Sequence, residues 1–146
     1  MRIKEKAWAR GVFRLRVWKN GKLVEEDDGG NMIVDGARFQ MAHFVAGDAG
    51  GRQIAAIALG TDGTPPVPGD LEITDPFIKD IDGVEYPASG QVSFRWVITT
   101  AEANDKAIRE FGLLCADGTL FARYVRQKPL NKDSDFLLEG DWTIEF

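Results

Sequence analysis

Residues 107–125 constrain the fold more than any other stretch of the chain. Two apolar runs flank an Asp117-Gly118 pair. Asp-Gly between apolar runs predicts a tight β-hairpin turn, because both residues tolerate the positive φ that such a turn requires. One carboxylate, Glu110, interrupts the first run. Burying an unpaired carboxylate is costly, so we expect Glu110 to be paired, hydrogen-bonded or placed at an edge.

Three arginines are possible partners for Glu110: Arg95, Arg109 and Arg123. We predict that Glu110 is a structural pin held by Arg95 or Arg123. The alternative is a catalytic carboxylate, which would need a second acid or base within hydrogen-bond reach, and the sequence places none nearby.

Alternating apolar and polar residues predict further strands. In residues 11–18 the inward set is Phe13, Leu15 and Val17, and Asn20-Gly21 predicts a type I′ turn into a return strand near residues 22–26. Arg14 and Arg16 are expected to pair with Glu25 or Glu26 across that hairpin. Residues 27–31 are predicted as a loop.

The later segments repeat this pattern. Strands are predicted at residues 53–59, 77–81 and 84–86. In residues 91–99 the inward set is Val92, Phe94, Trp96 and Ile98, and in residues 135–146 it is Trp142, Ile144 and Phe146. Residues 126–135, which contain Pro129, are predicted as a polar loop, and residues 60–70, which contain three prolines, as an irregular stretch.

A single short helix is predicted over residues 36–46. Asp35 is its expected N-cap, Gly47 follows it, and Ala37, Met41, Phe44 and Val45 give it an apolar stripe. Eight to ten short strands and one helix predict an all-β, mainly antiparallel fold: a jelly-roll-like β-sandwich. We expect an N-terminal arm at residues 1–10 and one sandwich domain at residues 11–146.

The composition excludes several functional classes. The chain has 146 residues, 44% of them hydrophobic, with a net charge of −5 and one cysteine. Net negative charge argues against nucleic acid as a partner, and no apolar run approaches the roughly 20 residues of a membrane span. Two small basic clusters, residues 14–19 and residues 123–128, are interpreted as ordinary solvated faces.

The residues that could carry catalysis or bind metal are sparse. His43 is the only histidine and Cys115 the only cysteine. A nucleophilic Cys–His pair would need both, and a metal site would need further ligands. Asp80 with Asp82, and Asp133 with Asp135, each supply only two carboxylates, fewer than a calcium loop needs. We predict no catalytic residue, no metal and no cofactor.

Tryptophan and arginine in the first part of the chain point to an interface. Trp8 and Trp18 fall outside the predicted inward sets, and exposed Trp and Arg are typical anchors of protein–protein contacts. The predicted interface comprises Trp8, Trp18, Arg14, Arg16, Pro65 and Pro66. Exposed tryptophan on a β-sandwich is also typical of glycan-binding modules, which is the alternative hypothesis.

Five motifs in order along the chain carry a resemblance: NMIV (31–34), IALGTDGTPPVPGD (57–70), IREFGLL (108–114), LFAR (120–123) and WTIEF (142–146). Their order and spacing resemble small structural proteins of tailed bacteriophages and prophages that are described as tail-fibre-like, baseplate or virion-associated. The similarity runs from about residue 11 to the C-terminus, and the second and third motifs are its most specific parts.

The resemblance implies a non-enzymatic virion protein, synthesised in the bacterial host cytoplasm. It also implies self-association into a homo-oligomer and docking on other virion proteins. The tail, baseplate or fibre region is the favoured position. Two alternatives remain open: a capsid decoration protein, and a module that binds a host-surface glycan.

Overall fold

A computed structural model describes residues 8–146 of the chain. Residues 1–7, which make up most of the predicted arm, lie outside the described residues. The secondary structure comprises β1 (Arg10–Lys19), β2 (Lys22–Gly30), β3 (Met32–Ile33), α1 (Asp35–Val45), β4 (Ile54–Gly60), β5 (Phe77–Asp80), β6 (Gly83–Glu85), β7 (Gln91–Ile98), β8 (Ala107–Cys115), β9 (Leu120–Asn131) and β10 (Phe136–Glu145).

The strands form two five-stranded sheets. Sheet 1 has the order β2-β1-β10-β7-β6, and sheet 2 has the order β3-β9-β8-β4-β5. Every strand pair is antiparallel. The predicted all-β sandwich with one short helix is therefore confirmed, and the predicted central hairpin, β8 and β9, lies in the middle of sheet 2.

The main core lies between the two sheets. The ring of Phe13 is at its centre, with ring centroids 4.2 Å from Tyr124, 4.9 Å from Trp142 and 5.0 Å from Phe111. The predicted inward sets of β1 and β7 are confirmed, because their members are buried or, for Val92, half-buried. The prediction that Phe146 belongs to the inward set of β10 is wrong: Phe146 follows the strand and is 59% exposed.

Sheet 2 also buries its outer face. Alternate residues of β4 and β8 belong to different apolar clusters: Ile57 and Leu113 face the main core, whereas Ala58 and Leu114 belong to a second cluster that contains Ile73. Ile73 lies in the segment between β4 and β5, residues 61–76, which we call the lid loop. Because successive strand residues point to opposite faces, the lid loop must cover the outer face of sheet 2.

Both turn signals are correct. Asn20 and Gly21 have φ values of 49° and 79°, as a type I′ turn requires, and Gly118 has a φ of 90°. Two predicted loops are wrong in part, however. Residues 27–30 continue β2, which is held as an edge strand by its pairing with β1, for example Asp28 opposite Arg14. Cross-strand pairing thus outweighs the low strand propensity of Asp and Gly.

The second wrong loop is residues 126–135, because β9 continues to Asn131. Pro129 is tolerated there because the register of β9 against β8 shifts between the Glu110–Val125 pair and the Ile108–Leu130 pair. A bulge leaves residues without ladder partners, and proline has no N–H to contribute to the ladder.

Helix α1 begins and ends one residue earlier than the predicted range 36–46. Asp35 is its first residue rather than its N-cap, which is Val34, and the Asp35 N–H donates to the Pro68 carbonyl of the lid loop (2.8 Å). The predicted apolar stripe is only partly correct. Ala37 is buried, but Val45 is 81% exposed, and Gln40 is buried in its place.

Candidate docking surface

Glu110 lies on the outer face of sheet 2, beneath the lid loop. Its side chain is 1% exposed. The carboxylate Oε1 accepts a hydrogen bond from Arg123 Nε (2.9 Å), and Oε2 accepts from the backbone N–H groups of Asp62 (2.7 Å) and Thr74 (3.1 Å). One side chain thus binds both ends of the lid loop to the centre of the sheet.

Arg123 completes the pin from the neighbouring strand, and its side chain is 3% exposed. Its Nη1 donates to Asp70 Oδ2 (3.0 Å), and its Nη2 donates to the Asp62 carbonyl oxygen (3.1 Å). Asp70 Oδ2 also accepts from the Val67 N–H (3.0 Å). The predicted pairing of Glu110 with Arg123 is confirmed, and the pair organises a loop that the sequence did not connect with it.

The prediction that Arg95 holds Glu110 is wrong. Arg95 belongs to β7 in sheet 1, on the other side of the core, and its nearest carboxylate is that of Glu85 at 3.8 Å. Arg109, the third possibility, donates to the Arg126 carbonyl oxygen (3.3 Å) and lies against Gly63. The sequence alone could not identify which arginine pairs with Glu110, because the topology decides which strands share a sheet.

Glycines let the lid loop approach the sheet closely. A Cβ atom at Gly112 would lie 2.5 Å from Ile73 Cγ1, and a Cβ atom at Gly60 would lie 2.4 Å from Ile73 Cγ2 and 2.8 Å from Glu110 Oε2. A Cβ atom at Gly63 would lie 2.4 Å from Arg109 Cζ. A side chain at Gly60 or Gly112 would lift the loop or displace the buried pair, whereas one at Gly63 would require only that the Arg109 guanidinium shift.

The start of the lid loop is further fixed by Asp62. Its Oδ1 accepts from the Thr64 hydroxyl (2.6 Å) and from the Thr64 N–H (2.9 Å). These hydrogen bonds to the carboxylate hold the pKa of Asp62 below its ordinary value. The same hydrogen bonds hold the first turn of the lid loop in place.

The outer side of the fixed loop presents apolar groups to solvent. Leu71 is 82% exposed and Val67 is 51% exposed. The predicted interface residue Pro65 is exposed beside them, and Pro66 is half-buried. A pre-formed loop that exposes apolar side chains is typical of a protein contact surface, since little conformational entropy is lost when it docks.

A second apolar feature lies at one end of the sandwich. A pocket of about 610 Å³, the end pocket, opens between the sheets beside α1. Its walls include the aromatic side chains of Phe44, Tyr86, Phe121 and Phe146. Trp8, predicted to be an exposed anchor, is half-buried there, with its ring 6.4 Å from that of Phe121 and 6.1 Å from that of Phe146.

The other predicted interface residues lie on the outer face of sheet 1. Trp18 is half-buried, and its Nε1 donates to Glu139 Oε1 (2.9 Å). Arg16 pairs with the same carboxylate (3.2 Å), so its predicted pairing with Glu25 or Glu26 is wrong. Arg14 is exposed opposite Asp141. The structure therefore divides the predicted interface set among three surfaces.

Glu25 instead pairs with Arg126, a buried residue that the sequence analysis missed. Arg126 Nη2 lies 2.6 Å from Glu25 Oε1, and Arg126 Nη1 contacts Asp27 Oδ2. Burial raises the pKa of Asp27, and the guanidinium of Arg126 opposes that rise. Since Arg123 and Arg126 are both buried against carboxylates, residues 123–128 do not form a basic face for nucleic acid.

The residues considered for catalysis have separate environments. His43 Nδ1 donates to the Phe39 carbonyl oxygen (2.9 Å), one turn earlier in the helix. Cys115 is buried, and burial raises its thiol pKa to about 11, so little of the nucleophilic thiolate forms at neutral pH. The hydrogen bonds of Glu110 go to Arg123 and the lid loop. His43 is thus bonded within α1, Cys115 is buried in the core, and Glu110 is bonded beneath the lid loop.

Within residues 8–146, no three His, Cys, Asp or Glu side chains are grouped so as to hold a metal ion. Among the same residues, no helix has the length and apolar character of a membrane span.

The chain matches no protein-family model, no curated protein and no solved structure. Its functional interpretation therefore depends on its own residues and their geometry.

Proposed function

We propose that this chain is a non-enzymatic structural component of a tailed-phage virion. In this proposal it self-associates and docks on other virion proteins, most readily in the tail, baseplate or fibre region. The observation that carries the proposal is the lid loop, which a buried charged pair fixes while Val67 and Leu71 face solvent. Fixing an apolar loop in this way reduces the entropy cost of docking.

The position of the resemblance motifs supports the proposal. The stretch 57–70 supplies Gly60, Gly63 and the first part of the lid loop, and the stretch 108–114 supplies Glu110 and Gly112. These residues are distant in sequence but meet at one place, where the glycines admit the loop and Glu110 binds it. The two most specific motifs thus form a single structural device.

The end pocket is a second surface suited to docking. It is concave and predominantly apolar, and Tyr86 and Phe146 at its walls are 79% and 59% exposed. Aromatic side chains in a concavity are typical of the buried centre of a protein interface. A virion protein with several neighbours would use more than one such surface.

A direct test is to locate the chain in particles of the phage or prophage that encodes it. Gradient-purified particles would be analysed by mass spectrometry and by immunogold electron microscopy with antibodies against the chain. We expect the chain to copurify with intact particles and the label to lie on the tail. Particles that lack the chain would refute the proposal.

The same experiment distinguishes a position on the tail from a position on the capsid. Label distributed over the head, with none on the tail, would identify a capsid decoration protein instead. Equilibrium sedimentation of the purified chain tests self-association independently. We expect a discrete oligomer, and a monomer at micromolar concentration would contradict that part of the proposal.

A further inference from the structure

A second pocket lies on the opposite side of the sandwich from the lid loop. It has a volume of about 410 Å³ and is formed where the β1–β2 turn meets the segment before β10 and the end of β7. Its lining comprises Trp18, Asn20, Gly21, Thr100, Ser134, Asp135, Leu137 and Glu139. Val17 and Leu138 point into the core, so Trp18 and Glu139 must face outward.

The floor of this pocket is held in place by the fold. Trp18 and Leu137 are direct cross-strand partners and form an apolar floor. Glu139 Oε1 accepts hydrogen bonds from both Trp18 Nε1 (2.9 Å) and Arg16 Nε (3.2 Å), which orients the indole. The Asn20 N–H donates to the Asp135 carbonyl oxygen (3.1 Å) and fixes one wall against the other.

The rim of the pocket is polar on several sides. Asn20 contributes an amide, Thr100 and Ser134 contribute hydroxyls, and Asp135 contributes a carboxylate. All four residues are exposed. An aromatic face surrounded by hydrogen-bonding groups suits a ligand that has one apolar face and a polar edge.

We propose that this pocket binds an uncharged saccharide, with the apolar face of one sugar ring on the Trp18 indole and its hydroxyls bonded to the rim. This inference is independent of the virion role, because it involves neither the lid loop nor the end pocket. A saccharide carries hydroxyl donors and acceptors around its edge, which match the mixed amide, hydroxyl and carboxylate groups of the rim.

The charges of the pocket favour a neutral ligand. Its two charged lining residues are carboxylates, which would repel an anionic sugar or a phosphate. Arg16 compensates Glu139, so Asp135 is the one carboxylate of the lining without a paired arginine or lysine among residues 8–146. Sites for organic cations surround the charge with several aromatic faces, whereas Trp18 is the one aromatic residue in this lining.

The experiment is ligand-observed saturation-transfer NMR on the full chain. The probes are uncharged di- to tetrasaccharides of glucose, galactose, mannose and N-acetylglucosamine, and calorimetry follows for any that respond. We expect at least one probe to bind, and Trp18→Ala to weaken it about tenfold through loss of the stacking face. Asp135→Asn tests the rim without disturbing the floor and is expected to weaken binding about threefold.

Trp8→Ala is the matched control, because it removes a half-buried tryptophan at a different place, packed against Phe121 and Phe146. It should leave saccharide binding unchanged while Trp18→Ala weakens it. Circular dichroism of each variant would confirm that it is folded. Three results would overturn the proposal: no response from any probe, equal losses in Trp8→Ala and Trp18→Ala, or binding of tetramethylammonium in preference to every saccharide.

Discussion

At the scale of single residues, the buried pair of Glu110 and Arg123 affects both the stability of the fold and the position of the lid loop. A buried ion pair contributes little net stability when compared with apolar residues of the same shape, because both charges lose their hydration. Removing one partner, in contrast, leaves a buried charge beneath the lid loop that is less well compensated, because within the described part of the chain Glu110 pairs with Arg123 alone, whereas Arg123 also pairs with Asp70. The pair therefore specifies where the loop lies more than it adds to the free energy of unfolding.

Glu110→Gln should lower the free energy of unfolding by about 3 kcal/mol, the lower end of the range for breaking a buried pair. The lower end applies because Arg123 keeps its bond to Asp70. Glutamine preserves the size of the side chain but leaves Arg123 without its principal counter-charge. Urea denaturation followed by tryptophan fluorescence would measure the change. We also expect reduced incorporation of this variant into particles.

Glu139→Gln is the matched control, since Glu139 also pairs with an arginine but is one-third exposed. Such half-exposed pairs contribute about 1 kcal/mol or less, so this variant should change stability little. Equal unfolding midpoints for Glu110→Gln and the wild type would show that the pin is dispensable.

The thiol of Cys115 provides a second test at the same scale. Its pKa is raised from 9.0 to about 11 by burial. At pH 8, native protein should react with a disulfide reagent such as DTNB at least about 100-fold more slowly than denaturant-unfolded protein, since only the thiolate attacks. Similar rates in the two states would mean that the thiol is accessible, contrary to its position in the core.

The raised pKa also predicts a pH dependence of stability. A group whose pKa is higher in the folded than in the unfolded state stabilises the fold fully below its unfolded value and loses this contribution as pH rises toward the folded value. The wild type should therefore lose stability between about pH 9 and pH 11 relative to Cys115→Val, which has no thiol. Parallel stability curves for the two proteins would contradict this.

At the scale of elements, the lid loop covers the outer face of sheet 2, which would otherwise expose apolar residues. Ile73 reaches down between Gly60 and Gly112 onto the sheet, and the backbone on either side is bound by Glu110. The absence of side chains at these two glycines is thus a packing requirement, although neither has a positive φ. The close approach of Ile73, rather than turn geometry, explains why glycine occupies both positions.

Gly112→Ala should destabilise the protein by about 1–3 kcal/mol, because the new methyl group would lie within 2.7 Å of two Ile73 carbons. Thermal or urea unfolding would measure the loss. Gly69→Ala is the control in the same loop: a Cβ atom there has no neighbour within 4 Å. Its effect should lie within about 0.5 kcal/mol.

A double-mutant cycle with Ile73→Ala would test the cause. Truncating Ile73 removes the two closest contacts and leaves Leu120 Cδ1 at 3.1 Å, so Gly112→Ala should cost much less in that background. If the two substitutions were additive, the loss in Gly112→Ala would arise from Leu120 or the backbone of β8 and not from contact with the lid loop.

At the scale of the whole molecule, the four sheet edges limit how copies can associate. Edges β3, β5 and β6 have two, four and three residues. The long edge β2 carries Glu25, Glu26, Asp27 and Asp28, of which Glu25 and Asp27 are bound by Arg126. Short or charged edges disfavour extension of a sheet by another chain. Association is therefore expected through side-chain surfaces such as the lid loop and the end pocket.

Replacing both Val67 and Leu71 with serine should weaken docking by about tenfold or more without affecting the fold. The two side chains are largely exposed, so the free energy of unfolding should change by about 0.5 kcal/mol or less. Equilibrium sedimentation and incorporation into particles would measure docking. Val84→Ser, which alters an exposed valine on β6, is the control. Normal association and incorporation of the double variant would exclude the lid loop as the docking surface.

The sequence alone determined the sandwich class, most strands and both tight turns. These features depend on local chemistry: side chains alternate along a strand, and Asn20, Gly21 and Gly118 adopt the positive φ that the turns require. It also identified Glu110 as a residue that needs a buried partner, since that requirement follows from the cost of desolvating a carboxylate.

Only the tertiary structure decided which arginine pairs with Glu110 and what the pair holds. Arg95 and Arg123 are equivalent in sequence, but the topology places them in different sheets. The connection between the lid loop and Glu110 spans 48 residues in sequence for the Asp62 hydrogen bond and leaves no periodic signal. Contacts of this kind arise from packing between elements, so the sequence shows the need for a partner and the fold supplies it.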